Sequence, residues 1–293
     1  MSKTIIVTDS NSGILQSEAK DLGIYVIPMP FTINDEEYLE EISISQEKFY
    51  EFLAEDADVT TSQPSQYYLE ELWTDLLKKY DEIVYIPMSS GLSATCENAK
   101  RYAENFGGKV VVVDNKRIST SQKVSVFEAM ELLKQGKNAT EIKAYLERRK
   151  DRHSIYIMVS TLKYLKKGGR ISAAAAAVGS MLKLKPILSS RGEKFERFAM
   201  TMTVAQARKK IIQQIKLELE SEFKEEFEAG KVALSVVHSQ NEVEAKSFKE
   251  EIEREIPNLE VRYIDQLSLS VACHIGPGSL AVILFVDSFN QKG

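Results

Sequence analysis

In the first half of the chain, four runs rich in β-branched residues (4–8, 25–32, 83–87 and 109–114) alternate with stretches whose apolar residues recur near helical spacing (47–54, 66–80, 97–106 and 121–135). Strands that alternate with helices of this length imply a mostly parallel sheet with helices on its faces. In such folds ligands gather beyond the carboxyl ends of the strands. The runs end there in polar turns, so Thr8-Asp9-Ser10, Met88-Ser89-Ser90 and Asp114-Asn115 are expected to share one rim.

The pattern changes near Lys150-Asp151-Arg152. A strand-like run at 154–160 is followed by a basic turn, Lys166-Lys167-Gly168-Gly169-Arg170, and a small-residue helix over 172–178. Segments 185–188 and 195–198 read as a hairpin turning at Arg191-Gly192-Glu193. A long charged helix is predicted over 204–227, then strands at 232–238 and 260–264 around a second charged helix at 241–256, and a last strand at 280–287. With 293 residues the chain is large for one core. The expectation is two α/β domains, 1–152 with a mostly parallel sheet and 153–293 with a mixed sheet and helices.

Composition excludes several function classes. Hydrophobic content of 43% and charged content of 28% describe an ordinary globular protein. A net charge of −5 with no basic block makes nucleic acid a poor partner. No run approaches the roughly 20 apolar residues of a membrane span, and the first residues lack a signal-peptide core, so the cytoplasm is expected. Cys96 and Cys273 are too few for a disulfide framework and read as partly buried thiols.

The chemistry concentrates in a few turns. Residues 87–96 read P-M-S-S-G-L-S-A-T-C, four hydroxyls around one glycine where a strand hands over to a helix. Such a helix start is either simply capped or an anion site, since its backbone N–H groups are unpaired and its dipole end is positive. Thr60 to Ser65 (T-T-S-Q-P-S) precedes another helical run; Ser62 or Ser65 serves as N-cap, and two threonines exceed what capping needs. Gly168-Gly169-Arg170 puts a cation just before small residues that allow close approach. Of three histidines, His153 reads as a surface residue, His238 ends a strand, and His274 lies in C-H-I-G-P-G, a shaped turn where it could donate to an anion or shuttle a proton. The charge runs at 218–228 and 244–255 read as solvated helix faces.

No metal site is expected: Glu36-Glu37 and Glu40-Glu41 lack nearby histidines and read as an exposed hairpin. Ser93, His274 and Asp9 would supply a hydrolase triad, but Ser-Gly-Leu-Ser-Ala is not a Gly-x-Ser-x-Gly elbow. No glycine-rich nucleotide cradle is present, so no cofactor is expected.

Taken in order, these segments resemble the DegV family, fatty-acid-binding proteins that include the acyl-carrier subunits of bacterial fatty acid kinases. The resemblance rests on Thr8-Asp9-Ser10, Thr61-Ser-Gln-Pro-Ser65, Ser89-Ser90-Gly91-Leu92-Ser93 with Thr95, Val113-Asp114, Leu165-Lys-Lys-Gly-Gly-Arg-Ile-Ser172, Lys185-Pro-Ile-Leu188 and His274-Ile-Gly-Pro-Gly278, spanning about residues 3–287. It implies two α/β domains with a long-chain fatty acid, such as palmitate, in a tunnel between them. Thr61 and Ser93 would hold its carboxylate, and Arg170 and His274 would lie near the head group or a kinase-facing rim. Ala94 and Cys96 stand where the pattern has Gly and Tyr. The implied function is a lipid-binding protein, not itself an enzyme. It would present the carboxylate to a separate ATP-dependent kinase subunit, in fatty acid uptake, transport or metabolism. The rival readings are a serine-dependent hydrolase or acyltransferase using Ser93, and a purely regulatory protein.

Overall fold

The computed structural model describes residues 3–177 and 184–289. The chain divides into two compact units, Met1–Asp151 with Ser268–Ser270, and Arg152–Leu267 with Val271–Gly293.

The first unit runs β1 (Thr4–Asp9), α1 (Gln16–Leu22), β2 (Tyr25–Ile27), β3 (Pro30–Ile33), β4 (Glu36–Leu39), α2 (Gln46–Ala54), β5 (Val59–Thr61), α3 (Gln66–Leu76), β6 (Glu82–Ile86), α4 (Thr95–Ala103), β7 (Val110–Val112), α5 (Thr120–Lys134) and α6 (Ala139–Arg148). Its main sheet has the order β2-β1-β6-β7 and is parallel throughout, with Thr8 opposite Ile86 and Asp9 opposite Ile27. On one face Val7, Ile27, Ile83 and Tyr85 pack against Leu69 and Trp73 of α3 and Cys96 and Ala99 of α4. α5 and α6 contact the same sheet through β1, β6 and β7. Local chemistry sets the helix starts: Ser65 accepts from Tyr68 N–H at the head of α3, and Asn138 with Glu141 closes a capping box on α6.

The expected strand at 25–32 is two strands in two sheets. β2 stays in the parallel sheet; β3 is the centre of a separate antiparallel sheet, β4-β3-β5. Pro28 and Pro30 have no N–H to give a ladder, so pairing stops after Ile27 and restarts with Pro30 as a first strand residue. The acid-rich hairpin is real, but Glu40 is not exposed. It is 2% accessible, and its carboxylate accepts from Ser10 Oγ (2.7 Å) and Leu269 N–H.

The second unit contains β8 (His153–Met158), α7 (Lys163–Gly168), α8 (Ala173–Ala176), β9 (Lys185–Ser190), β10 (Glu196–Thr201), α9 (Val204–Glu220), α10 (Lys224–Glu228), β11 (Val232–His238), α11 (Glu242–Glu255), β12 (Glu260–Gln266), α12 (Leu269–Ile275, whose first two residues group with the first unit) and β13 (Leu280–Val286). Val178, the last residue of the predicted small-residue helix, lies outside the described residues. The sheet order is β10-β9-β8-β13-β11-β12, antiparallel except for β11 and β12, which α11 connects. One face, including Tyr156, Ile187, Leu234, Val236 and Val282, packs on Ile211 and Ile215 of α9 and Phe248 and Ile252 of α11.

Three expectations fail here through burial. The helix predicted over 204–227 breaks at Ser221, whose hydroxyl donates back to Leu217 C=O (2.6 Å). The chain then turns Phe223 fully inward, under the guanidinium groups of Arg152 and Arg191. Glu218 is not on a solvated face; it accepts from Ser154 Oγ (2.6 Å), Tyr156 OH (2.7 Å) and Arg191 Nη2 (2.9 Å). His153 is buried inside β8.

Candidate ligand site at the carboxyl ends of the parallel strands

The rim of the first unit is built around Asp9, the last residue of β1. Its carboxylate is fully buried and accepts from Asn11 N (3.1 Å), Asn11 Nδ2 (2.9 Å), Gln122 Nε2 (3.1 Å) and Met88 N (2.9 Å). Burial raises its pKa, and these four donors oppose the rise. Gln122, near the start of α5, also donates to Thr8 Oγ1 (3.0 Å) and Ile86 C=O (3.1 Å). Asp9 and Gln122 therefore tie the ends of β1 and β6 together. Amide donors occupy Asp9 from several sides, which makes it a brace for the rim.

The serine-rich loop sits on that brace. Ser89 C=O accepts from Leu92 N and Ser93 N (both 3.1 Å), closing a tight turn that delivers Ser93 to the head of α4. Ser93 Oγ is 2.9 Å from Thr95 Oγ1 and accepts from Thr95 N (3.2 Å). Residues 114–117 hold the loop from behind. Arg117 C=O accepts from Ser89 N (2.8 Å), Asp114 Oδ1 from Ser90 N (3.4 Å), and Lys116 Nζ donates to Ser90 Oγ (2.6 Å). Burial alone would raise the Asp114 carboxyl, but bonds from Ser90 and the charges of Lys100 and Lys116 outweigh it and lower the pKa. The three expected turns do meet at one rim.

Thr61 ends β5, opposite Phe31 of β3, and is partly exposed. Ser65, not Ser62, caps α3, so Thr61 is not needed for the cap. Gln63, in the turn after Thr61, accepts from Asn98 Nδ2 of α4 (2.7 Å), and Asn98 Oδ1 accepts from Arg101 Nη2 (2.6 Å). This bond joins the Thr61 turn to the helix that Ser93 begins. Ala94 has φ −73° and ψ −6°, a region open to any residue, so alanine there strains nothing. Cys96 is buried among Tyr85, Ala99 and Trp73, and burial pushes its thiol up to about 12. It is an inert core residue. Cys96, Glu97 and Asp114 lie close enough to suggest a metal cluster, but both carboxylates are already engaged by the Lys100 ammonium, Glu97 at 2.7 Å and Asp114 at 3.4 Å.

The family model for "Uncharacterised protein, DegV family" matches residues 3–287. A DegV domain-containing protein of Clostridium perfringens is 31% identical over 297 residues, covering 98% of this chain and 99% of its own. The chain belongs to the DegV family. Protein DegV of Bacillus subtilis is 33% identical over 284 residues, covering 94% of this chain and 97% of its own. The solved structure of that fatty-acid-binding DegV aligns with TM-score 0.83 at 29% identity over 98% of this chain and 100% of its own. A DegV-family protein of Thermus thermophilus, solved in a study of its fatty acid binding, aligns with TM-score 0.85 at 28% identity, over 97% and 99%. The two-domain α/β architecture expected from the sequence is thus the DegV fold.

Within the second unit of this DegV-family chain, Arg170 and His274 come together. His274 is not in a turn but is the next-to-last residue of α12; Gly276 and Gly278, both with positive φ, follow it. A Cβ placed on Gly168 would lie 2.1 Å from His274 Nδ1, and one on Gly276 would lie 2.3 Å from the Tyr164 ring. Both glycines exist for close approach. Arg170 Nη1 donates to Gly168 C=O (2.5 Å). Burial, then the positive charge of Arg170, lowers His274 to about 4. At neutral pH the imidazole is uncharged, and Arg170 carries the positive charge of this cluster. A neutral imidazole still has one N–H with which to donate to an anion. His238 has Nδ1 engaged by Asn241 N–H (3.2 Å).

Sequence reasoning missed Gln122, Lys116, Asn98 and Glu40. Only Lys116 had a local signal, its place directly after Asp114-Asn115.

Proposed function

We propose that this protein binds a long-chain fatty acid, with the hydroxyls of Thr61 and Ser93 taking its carboxylate. The observation that carries the reading is the braced loop that sets Ser93 at the head of α4, tied through Asn98 and Gln63 to the turn of Thr61. It is supported by the full-length likeness to DegV proteins that bind fatty acids. A helix start with added hydroxyls offers neutral donors to an anion. That suits an acid that must later be released. Burying a 16-carbon chain at about 0.8 kcal/mol per methylene gives a gross driving force on the order of 10 kcal/mol, much of it absorbed by ordering costs. The head group then needs orientation more than a strong ion pair.

In this reading the protein is a cytoplasmic, non-catalytic carrier. It presents the carboxylate to a separate ATP-dependent kinase, and Arg170 and His274 serve the head group or the kinase-facing rim. Among the described residues no helix is long and apolar enough to cross a membrane. The hydrolase alternative gains nothing from the geometry. Asp9, the acid that the triad would need, is committed to four amide donors.

Native mass spectrometry of the purified protein should show a co-purified fatty acid that organic extraction removes; a covalent acyl adduct on Ser93 would support the hydrolase instead. Ser93→Ala should weaken fatty acid binding by roughly 1.5–3 kcal/mol, the worth of one hydrogen bond to a charged group. Thr61→Val should do the same, and the two losses should be non-additive if both hydroxyls serve one carboxylate. Unchanged affinity in both variants would remove the site.

A further inference from the structure

We propose that Lys116 is a positioning residue for carboxylate recognition, acting through Ser90 on the loop that ends at Ser93; this rests on the fatty acid reading above. Three observations in the first unit carry it. First, Lys116 adopts φ +56°, a left-handed conformation that costs a non-glycine residue free energy and persists only where the surroundings hold it. Second, that conformation lets one short segment grip the loop at two successive residues, Arg117 C=O taking Ser89 N (2.8 Å) while Lys116 Nζ reaches Ser90 Oγ (2.6 Å). Third, the grip continues through Asp114, which accepts from Ser90 N (3.4 Å) and lies 3.4 Å from Lys100 Nζ.

The consequence is directional. Ser89 C=O receives the N–H of both Leu92 and Ser93, so the placement of Ser89 and Ser90 sets that of the Ser93 hydroxyl. A bond from an ammonium is stronger than one between neutral groups and is held in a half-buried setting. Removing it leaves Ser90 held through Asp114 alone, so ligand binding must supply more of the ordering. An uncharged head group on the same chain depends far less on that ordering. Lys116 therefore governs how well the protein tells an acid from its neutral analogue.

The test is equilibrium partition of radiolabelled hexadecanoate and, in parallel, hexadecanol into delipidated protein. Lys116→Met keeps the side chain's length and its left-handed backbone while deleting the ammonium. It should weaken hexadecanoate about tenfold, the size of one charge-assisted hydrogen bond, and leave hexadecanol unchanged. Lys116→Arg, which restores a cation, should recover most of the loss. Ser90→Ala removes the other end of the bond together with that hydroxyl's bond to Asp114; it should show at least the same selective loss, and adding Lys116→Met to it should cost nothing further. Equal weakening of both ligands, or no weakening in either Lys116→Met or Ser90→Ala while Ser93→Ala still impairs hexadecanoate, would overturn the proposal. If Ser93→Ala also has no effect, the carboxylate site itself falls. If Lys116→Met does not fold, Ser90→Ala decides alone.

Discussion

Glu40→Gln is expected to match the parent chain in stability near pH 4.5 and to exceed it by about 3 kcal/mol at about pH 8. Burial first, and repulsion by Glu41 second, raise the Glu40 carboxyl from 4.5 to about 7, against hydrogen bonds from Leu269, Ser10 and Ser270 that favour the anion. Between these two values the folded chain holds a proton that the unfolded chain has lost. Folding therefore becomes less favourable as pH rises through the window, and the preference is lost above about 7. The separation of about 2.5 units, at 1.36 kcal/mol each, gives the figure of about 3 kcal/mol. Glutamine imitates the protonated acid: its carbonyl accepts from Leu269 N–H, and its amide donates to the Ser10 hydroxyl. Denaturant unfolding at both pH values checks this. A parallel pH dependence in the two proteins would show that Glu40 titrates normally.

That carboxylate also shows where reading the sequence stops. The acids at Glu36, Glu37, Glu40 and Glu41 are identical in local composition, yet only Glu40 is buried. What buries it, Ser10 and Leu269, lies 30 and 229 residues away. Glu218 was misplaced for the same reason, because its partner Ser154 is 64 residues distant. A charge run looks the same whether tertiary structure uses one of its members or not. Strands were legible where β-branched runs coincide with full pairing, as in β1, β6, β11 and β13. The antiparallel sheet of β3, β4 and β5 was not, because strands of three or four residues carry too little pattern and β4 is half glutamate.

The candidate site divides along the same line. Ser93 and Thr61 were legible because turns and helix starts are local chemistry, written within a few adjacent residues. Their supports were not. Gln122 meets Thr8 across 114 residues, Asn98 meets Gln63 across 35, and Lys116 meets Ser90 across 26. His274 was placed in a turn because of its glycines, and those glycines do have positive φ. The helix that carries it begins at Leu269, in a serine-rich stretch with weak helical preference, and packing forms it rather than propensity.

Gly168→Ala should cost the second unit about 1–3 kcal/mol of stability, and that cost should vanish when His274 is also alanine. Gly168 lies in α7 without a positive φ, so its backbone accepts alanine and would gain about 1 kcal/mol of helix propensity. The obstacle is the imidazole: a Cβ there would sit 2.1 Å from Nδ1 and 2.8 Å from Cε1 of His274. The backbone that would carry the new Cβ is itself held, because Arg170 donates to the Gly168 carbonyl. Overpacking should therefore win over propensity in the parent chain, and propensity should win once the ring is gone. A double-mutant cycle by denaturant unfolding should give a coupling of about 2–4 kcal/mol, the net cost in the parent plus the propensity gain without the ring. The same pair separates the two meanings of His274. If the imidazole serves the head group or transfer to a kinase, Gly168→Ala displaces it and impairs acyl-phosphate formation, while His274→Ala still purifies with lipid. Equal cost of Gly168→Ala in both backgrounds would mean that the glycine makes room for something other than this ring. The contact between α7 and α12 would then be incidental to the site.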